Sequence, residues 1–191
     1  PNPVFGESTD PQILYCEPPG VPHIYNWPIK TKFIPTPEAV YILYEYGPFY
    51  RIVWLNSKHP EDPDPQWWGH SIGHYENGDT LVIETLNFNG KPAMTNSGVP
   101  GAPALNPESE NMRIVERITR TGPESIDYKM TIEDPTVLVR PWSVEFPWQM
   151  DKDYDMYEYA CHEGNTAVRN YIETNRYERA NPQLFPPPAA R

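Results

Sequence analysis

From Glu38 onward, apolar and polar positions alternate with a period of two, the pattern of strands that bury one face. Val40, Ile42, Tyr44 and Tyr46 fall on one side, with Tyr41, Leu43 and Glu45 on the other. Gly47-Pro48 turns the chain into Tyr50–Leu55, which completes a first hairpin. A polar, Pro-rich loop follows over 59–66. Segments 67–76 and 79–89 flank Asn77-Gly78, a pair that supplies the positive φ angles of a type I′ turn, and so predict a second hairpin. Residues 92–110 read as a long loop of Pro, Gly, Asn and Ser. A third hairpin spans 112–120 and Ser125–Glu133 around Thr121-Gly122-Pro123, with Ile126, Tyr128, Met130 and Ile132 on one face. Segment 137–148 predicts a further strand and 154–161 another. Val168, Tyr171 and Ile172 give 165–177 the one convincing helical spacing.

These elements predict an all-β chain, an antiparallel meander of roughly seven or eight strands. Closing it into a β-barrel removes exposed edges, and each long strand has one apolar face to turn inward. Residues 1–37 lack sustained alternation and read as an extended Pro-rich arm packed on the barrel. Residues 38–180 hold the barrel and its short C-terminal helix, and 181–191 read as a loose tail.

Composition supports one domain with a real core, since 13% of 191 residues are aromatic, with six Trp and thirteen Tyr. The 25 Pro argue against long helices. A net charge of −11, with no basic run, argues against nucleic acid and anionic membrane surfaces as partners. No apolar stretch approaches the ~20 residues of a membrane span. The start at Pro1 reads as a mature, exported product or as a cloning boundary. Cys16 and Cys161 bracket the barrel. Bridged, they would tether both ends of the chain and stabilise it by about 4–5 kcal/mol in the chain-entropy account. The alternative is two separate buried thiols.

Gly69-His70-Ser71-Ile72-Gly73 matches the G-x-S-x-G nucleophile elbow. That motif needs a strand turning into a helix, and here a hairpin follows, so serine-hydrolase chemistry is not expected. His70 and His74 would suit a metal on a helix, but along a strand they stand ~13 Å apart, too far for one ion. His162-Glu163 could join either, without a recognised ligand spacing. No metal and no cofactor is expected.

Period two also places charges inward. With Glu76 opposite Asp79, one face of the second hairpin carries Trp68, His70, Ile72, His74, Leu81, Ile83 and Thr85, the more apolar set. The same logic puts Glu116 beside Ile114 and Ile118, and Arg140 in line with Leu138 and Trp142. Buried charges must pair or line a wet cavity. The plainer outcome is a Glu116–Arg140 ion pair with two hydrogen-bonded histidines. The functional outcome is a pocket where His70 or His74 acts as general acid or base, Arg140 binds an oxygen and Glu116 orients the histidine. Tyr44, Trp68, Ile72, Ile83, Tyr128 and Trp142 would wall it. Glu45 and Arg51 read as a structural cross-strand pair.

Several segments carry a resemblance: Cys16 with Pro-Pro-Gly-Val-Pro; Tyr44-Glu45 followed by Arg51; Trp68-Gly69-His70-Ser71-Ile72-Gly73; and Gly78-Asp79-Thr80-Leu81-Val82-Ile83-Glu84-Thr85. Val115-Glu116-Arg117, Ile132-Glu133-Asp134-Pro135, Arg140-Pro141-Trp142 and Glu158-Tyr159-Ala160-Cys161 extend it. In this order, from about residue 16 to 165, they resemble a widespread family of exported bacterial proteins of unassigned activity. The resemblance implies a signal peptide, a secreted or periplasmic location and a Cys16–Cys161 bridge. In that family the position of His74 is more often Trp and that of His70 varies, which speaks against a shared catalytic role for either but allows a specialised one here. The layout is also similar to lipocalin-like barrels.

The leading expectation is an exported barrel that binds a small hydrophobic or aromatic molecule inside. The runner-up is a cofactor-independent lyase, hydratase or isomerase working by acid–base chemistry in the same cavity. A structural module, with the arm and the 92–110 loop as contact surfaces, is the third, and a homodimer is left open.

Overall fold

Strands form where β-branched and aromatic residues alternate with polar ones, and stop where Gly, Asn or Pro takes over. The structure is a computed structural model and describes residues 18–27, 29–47, 49–96, 105–159 and 166–184. Cys16, Cys161, His162, Glu163 and the tail beyond 184 lie outside the described residues.

Eight strands make one sheet, in the spatial order β1 (Thr31–Pro35), β2 (Ala39–Tyr44), β3 (Tyr50–Leu55), β4 (His70–Glu76), β5 (Thr80–Leu86), β8 (Arg113–Arg120), β9 (Ser125–Glu133) and β10 (Trp142–Gln149). Two short strands, β6 (Ala93–Asn96) and β7 (Leu105–Pro107), pair separately inside the segment expected to be a plain loop. The sheet curls into a half-barrel, as expected of an all-β, barrel-like chain, and α1 (Ala167–Ala180) is the short C-terminal helix. No helix among the described residues is long and apolar enough to cross a membrane.

Several details depart from expectation. Neighbours pair antiparallel except β3 and β4, which run parallel with Val53 beside Ser71. The 56–69 connection is therefore a crossover rather than a hairpin loop. Its ends are pinned by Asn56 N donating to Gly73 O at 2.8 Å and Gln66 N donating to Asn87 O at 3.0 Å. Thr31–Pro35, assigned to the arm, is an edge strand instead; with only Phe33 turned toward the core, it is too short to show alternation. Residues 154–159 are irregular, and β10 begins only at Trp142, after a turn through Pro135 and Val137.

The concave face is lined by Val40, Ile42, Tyr44, Val53, Leu81, Ile83, Ile114, Ile118, Tyr128, Met130 and Ile132, all buried. A short 3-10 helix, His23–Asn26, caps this concavity and adds Val21 and Ile24 to the core. The sheet edges β1 and β10 approach without pairing among the described residues: the Phe33 and Trp148 rings lie 6.0 Å apart. The chain after β10 crosses that gap. Lys30 Nζ bonds Asp151 at 2.8 Å, Tyr154 donates its hydroxyl to Glu45, and the Tyr159 ring packs on Tyr46 at 4.5 Å.

Candidate functional site

Across the β2–β3 hairpin Arg51 faces Ile42, and across β5–β8 Glu116 faces Ile83, so both charges point into the concavity. They meet there. Arg51 Nη2 bonds Glu116 Oε2 at 2.6 Å and Nη1 bonds Oε1 at 3.2 Å, a bidentate pair with 1% and 0% side-chain exposure. Glu116 Oε1 also accepts the hydroxyls of Tyr128 at 2.8 Å and Tyr25 at 3.2 Å. Arg51 Nη2 donates to Ser71 Oγ at 3.2 Å and to Thr85 Oγ1 at 3.0 Å. A buried charge pair is costly unless its remaining lone pairs and protons are satisfied; these hydroxyls serve both Nη groups and Oε1, while Arg51 Nε finds no partner among the described residues.

Burial, and then the Glu116 charge, raise the Tyr25 and Tyr128 hydroxyls well above the ordinary tyrosine range. Burial also raises Tyr44, against the pull of Arg51. Burial works against the Arg51 charge, yet the Glu116 carboxylate, with Tyr44 and Tyr25, carries the guanidinium well above its usual value. All three phenols thus stay protonated donors. Three of the four hydrogen bonds to Glu116 fall on Oε1 and one on Oε2, and Arg51 holds both oxygens in the ion pair.

Tyr25 joins this cluster to a cleft. Between the 3-10 helix and β9–β10 lies a cavity of about 120 Å³. Met130, Trp142, Val144 and Phe146 form one wall, Pro22 and Tyr25 the other, with Asn26 and Thr95 beside them. Asn26 Nδ2 bonds Thr95 Oγ1 at 2.9 Å, tying the 3-10 helix to β6. The wall continues as a row of rings: buried Tyr128 stacks on half-buried Trp148 at 4.4 Å and lies 5.1 Å from half-buried Phe146.

The residues expected to act together are not brought together. Glu116 faces inward as expected, but its partner is Arg51, not Arg140, which is exposed in the turn before β10. The inward reading of Arg140 extended the strand's period back through Pro141, where no strand exists. His70, Ile72 and His74 lie on the convex face, because the turn holds three residues, Asn77-Gly78-Asp79, and pairs Glu76 with Thr80. That register turns Ser71 and Gly73 inward. They are small for a reason: a Cβ on Gly73 would stand 2.8 Å from Val53 Cγ1 and 2.9 Å from Val82 O. Of the expected walls, Tyr44, Ile83 and Tyr128 are buried in the core, Trp68 stacks on Tyr44 at 5.3 Å, Trp142 lines the cleft and Ile72 points away. Glu45 bonds Tyr154 and the backbone of Lys30 and Tyr157, not Arg51. The missed residues are Arg51 and Tyr25. Arg51 shares strand parity with Val53, which is a signal; Tyr25, in a segment without sequence periodicity, has none.

Two further groups stand out. On the convex face His59 Nδ1 and His70 Nδ1 are 2.9 Å apart, and burial lowers the pKa of both rings. Beside β7, Glu108 is 4% exposed with neither carboxylate oxygen hydrogen-bonded among the described residues; burial, then Asp134, pushes its pKa up to about 9. Asp134 is itself satisfied, accepting from Ser109 N at 2.8 Å, Ser109 Oγ at 2.7 Å and Thr136 N at 3.1 Å.

No protein family, curated protein or solved structure was found to match the chain.

Proposed function

We propose that the half-barrel binds a small aromatic molecule in the cleft between the 3-10 helix and β9–β10. The observation that carries this reading is an apolar, ring-walled cavity of about 120 Å³ with a donor-rich polar cluster behind Tyr25. A cavity of ~150 Å³ lined by apolar side chains takes up benzene, so this one suits a single ring or a short aliphatic chain. Offset and edge-on ring contacts with Phe146, Trp142 and Tyr25 favour the aromatic. The larger depression, about 440 Å³ near Lys30 and Glu124, is a poorer candidate. Its cations are already paired, Lys30 with Asp151 and Lys152 with Glu124.

Acid–base catalysis lacks comparable support. His70 and His74 lie across the sheet from Glu116, Arg140 is exposed, and Glu116 is held in its ion pair with Arg51. Export and a Cys16–Cys161 bridge belong to the same proposal; thiol titration of the unreduced, unfolded protein is expected to find no free thiol, and two would refute the bridge.

The test of binding is a titration of the protein with phenol or toluene, followed by tryptophan fluorescence. Affinity for so few atoms is expected at Kd about 0.1–1 mM. Val144→Phe, which fills the cleft from the half-buried β10, is expected to weaken it at least tenfold with circular dichroism unchanged. Equal affinity in that variant sinks the assignment.

A further inference from the structure

We propose that His59 and His70 form a surface site for a divalent copper ion, on the convex face opposite the aromatic cleft and independent of it. The facing ring nitrogens, His59 Nδ1 and His70 Nδ1, lie 2.9 Å apart. Two nitrogens at that separation, each ~2.05 Å from one metal, subtend about 90° at it. That is the cis angle of a tetragonal or square-planar centre and is tighter than a tetrahedral ion prefers, which points to Cu²⁺ with Ni²⁺ behind it and Zn²⁺ weaker.

The surroundings are built for a ligand pair rather than for a chance contact. His59 stands on the crossover loop, which is tied to Gly73 of β4 and to Asn87 just after β5, and Asn87 Nδ2 also bonds Asp64 O at 2.7 Å. Pro60, Pro63 and Pro65 stiffen the same stretch. His70 opens β4, so one ligand is on a strand and the other on a restrained loop. Behind His59, on the ring edge away from His70, Glu84 Oε2 is 3.7 Å from Nε2. Glu84 is in turn held by Arg113 Nε at 2.7 Å, and Arg113 Nη1 reaches Glu133 Oε2 at 3.2 Å. At that distance Glu84 makes no hydrogen bond to the ring, and it is the carboxylate's charge that favours the tautomer with its proton on Nε2, leaving the Nδ1 lone pair for the metal. His70 presents its own lone pair once its ring proton sits on Nε2. Glu61, Asp62 and Asp64, all exposed on the same loop, add negative potential that draws cations to it.

Among the described residues no third His, Cys, Asp or Glu completes a ligand set, so water fills the remaining positions. The ion is therefore held exchangeably, with open positions facing solvent.

The untagged protein is titrated with Cu²⁺ chloride and read by its visible d–d absorbance and by electron paramagnetic resonance. One equivalent is expected to bind, with superhyperfine splitting from two imidazole nitrogens. His59→Ala and His70→Ala are each expected to weaken binding at least tenfold, and Glu84→Gln about tenfold. His74→Ala, four residues along the same strand, is expected to change nothing. Splitting from fewer than two nitrogens overturns the proposal on the wild-type protein alone, even if a variant fails to fold. Unchanged affinity in both folded alanine variants overturns it as well, by assigning the copper to other histidines.

Discussion

Arg51 and Glu116 hold each other in a site with no water-exposed alternative, so each residue's removal strands the other's charge. Breaking a buried pair from one side costs about 3–5 kcal/mol. Arg51→Met and Glu116→Leu are each expected to lose that much in urea denaturation. The double variant is expected to lose less than the sum, and strict additivity would contradict a coupled pair. Glu108 acts in the opposite sense. Its pKa of about 9 in the folded chain lies above the ordinary 4.5, so the folded state holds this proton more tightly than the unfolded one. The stability it allows is greatest below about pH 4.5 and falls as pH rises toward about 9. The slope from this one group approaches ~1.4 kcal/mol per pH unit. Glu108→Gln removes the titration, so its denaturation midpoint between pH 5.5 and 8.5 is expected to fall less than that of the wild type. Parallel pH profiles would show that Glu108 is not the buried acid described.

At the scale of elements, the β4–β5 register decides which face of β4 sees the core. Gly73→Ala forces a Cβ to within 2.9 Å of Val82 O and is expected to cost about 1–3 kcal/mol. Gly78→Ala, at φ +79 with open space around it, is expected to cost only the backbone strain of about 1 kcal/mol. Thermal unfolding of the two variants checks the order, and a costlier Gly78→Ala would contradict this packing. Residues such as these show what the chain pattern tells and what it hides. Tyr50–Leu55 and Ser125–Glu133 are strands with the bounds read from alternation, and the inward parity of Glu116, Tyr128, Met130 and Trp142 is as read. The second hairpin failed by one residue. Asn77 and Gly78 both have positive φ, as a two-residue turn requires, yet Asp79 joins the turn and flips His70 and His74 outward. Apolar counting favoured Ile72 inward; the winning face instead packs small Ser71 and Gly73 against Arg51 and Val53. The parallel β3–β4 pairing has no local signature, because a crossover is a property of the closed sheet.

Among the described residues the molecule is a curled sheet whose edges do not pair with each other but are bridged by side chains, and whose concavity is filled from one end by the 3-10 helix. Between that helix and β10 lies the ring-sized cleft. Its polar floor was foreshadowed by Glu116 in the sequence, but its geometry depends on Tyr25, which comes from a segment without periodicity. The central claim is that an aromatic molecule enters that cleft, and methionine methyl groups report on it directly. Met130 lines the cavity, Met112 is sealed in the core and Met150 is exposed beyond β10. In the ¹³C-methyl-methionine spectrum, adding phenol is expected to shift Met130 saturably while Met112 and Met150 stay in place. Met130 unmoved at saturating phenol, or all three methyls drifting together without saturation, would contradict the account.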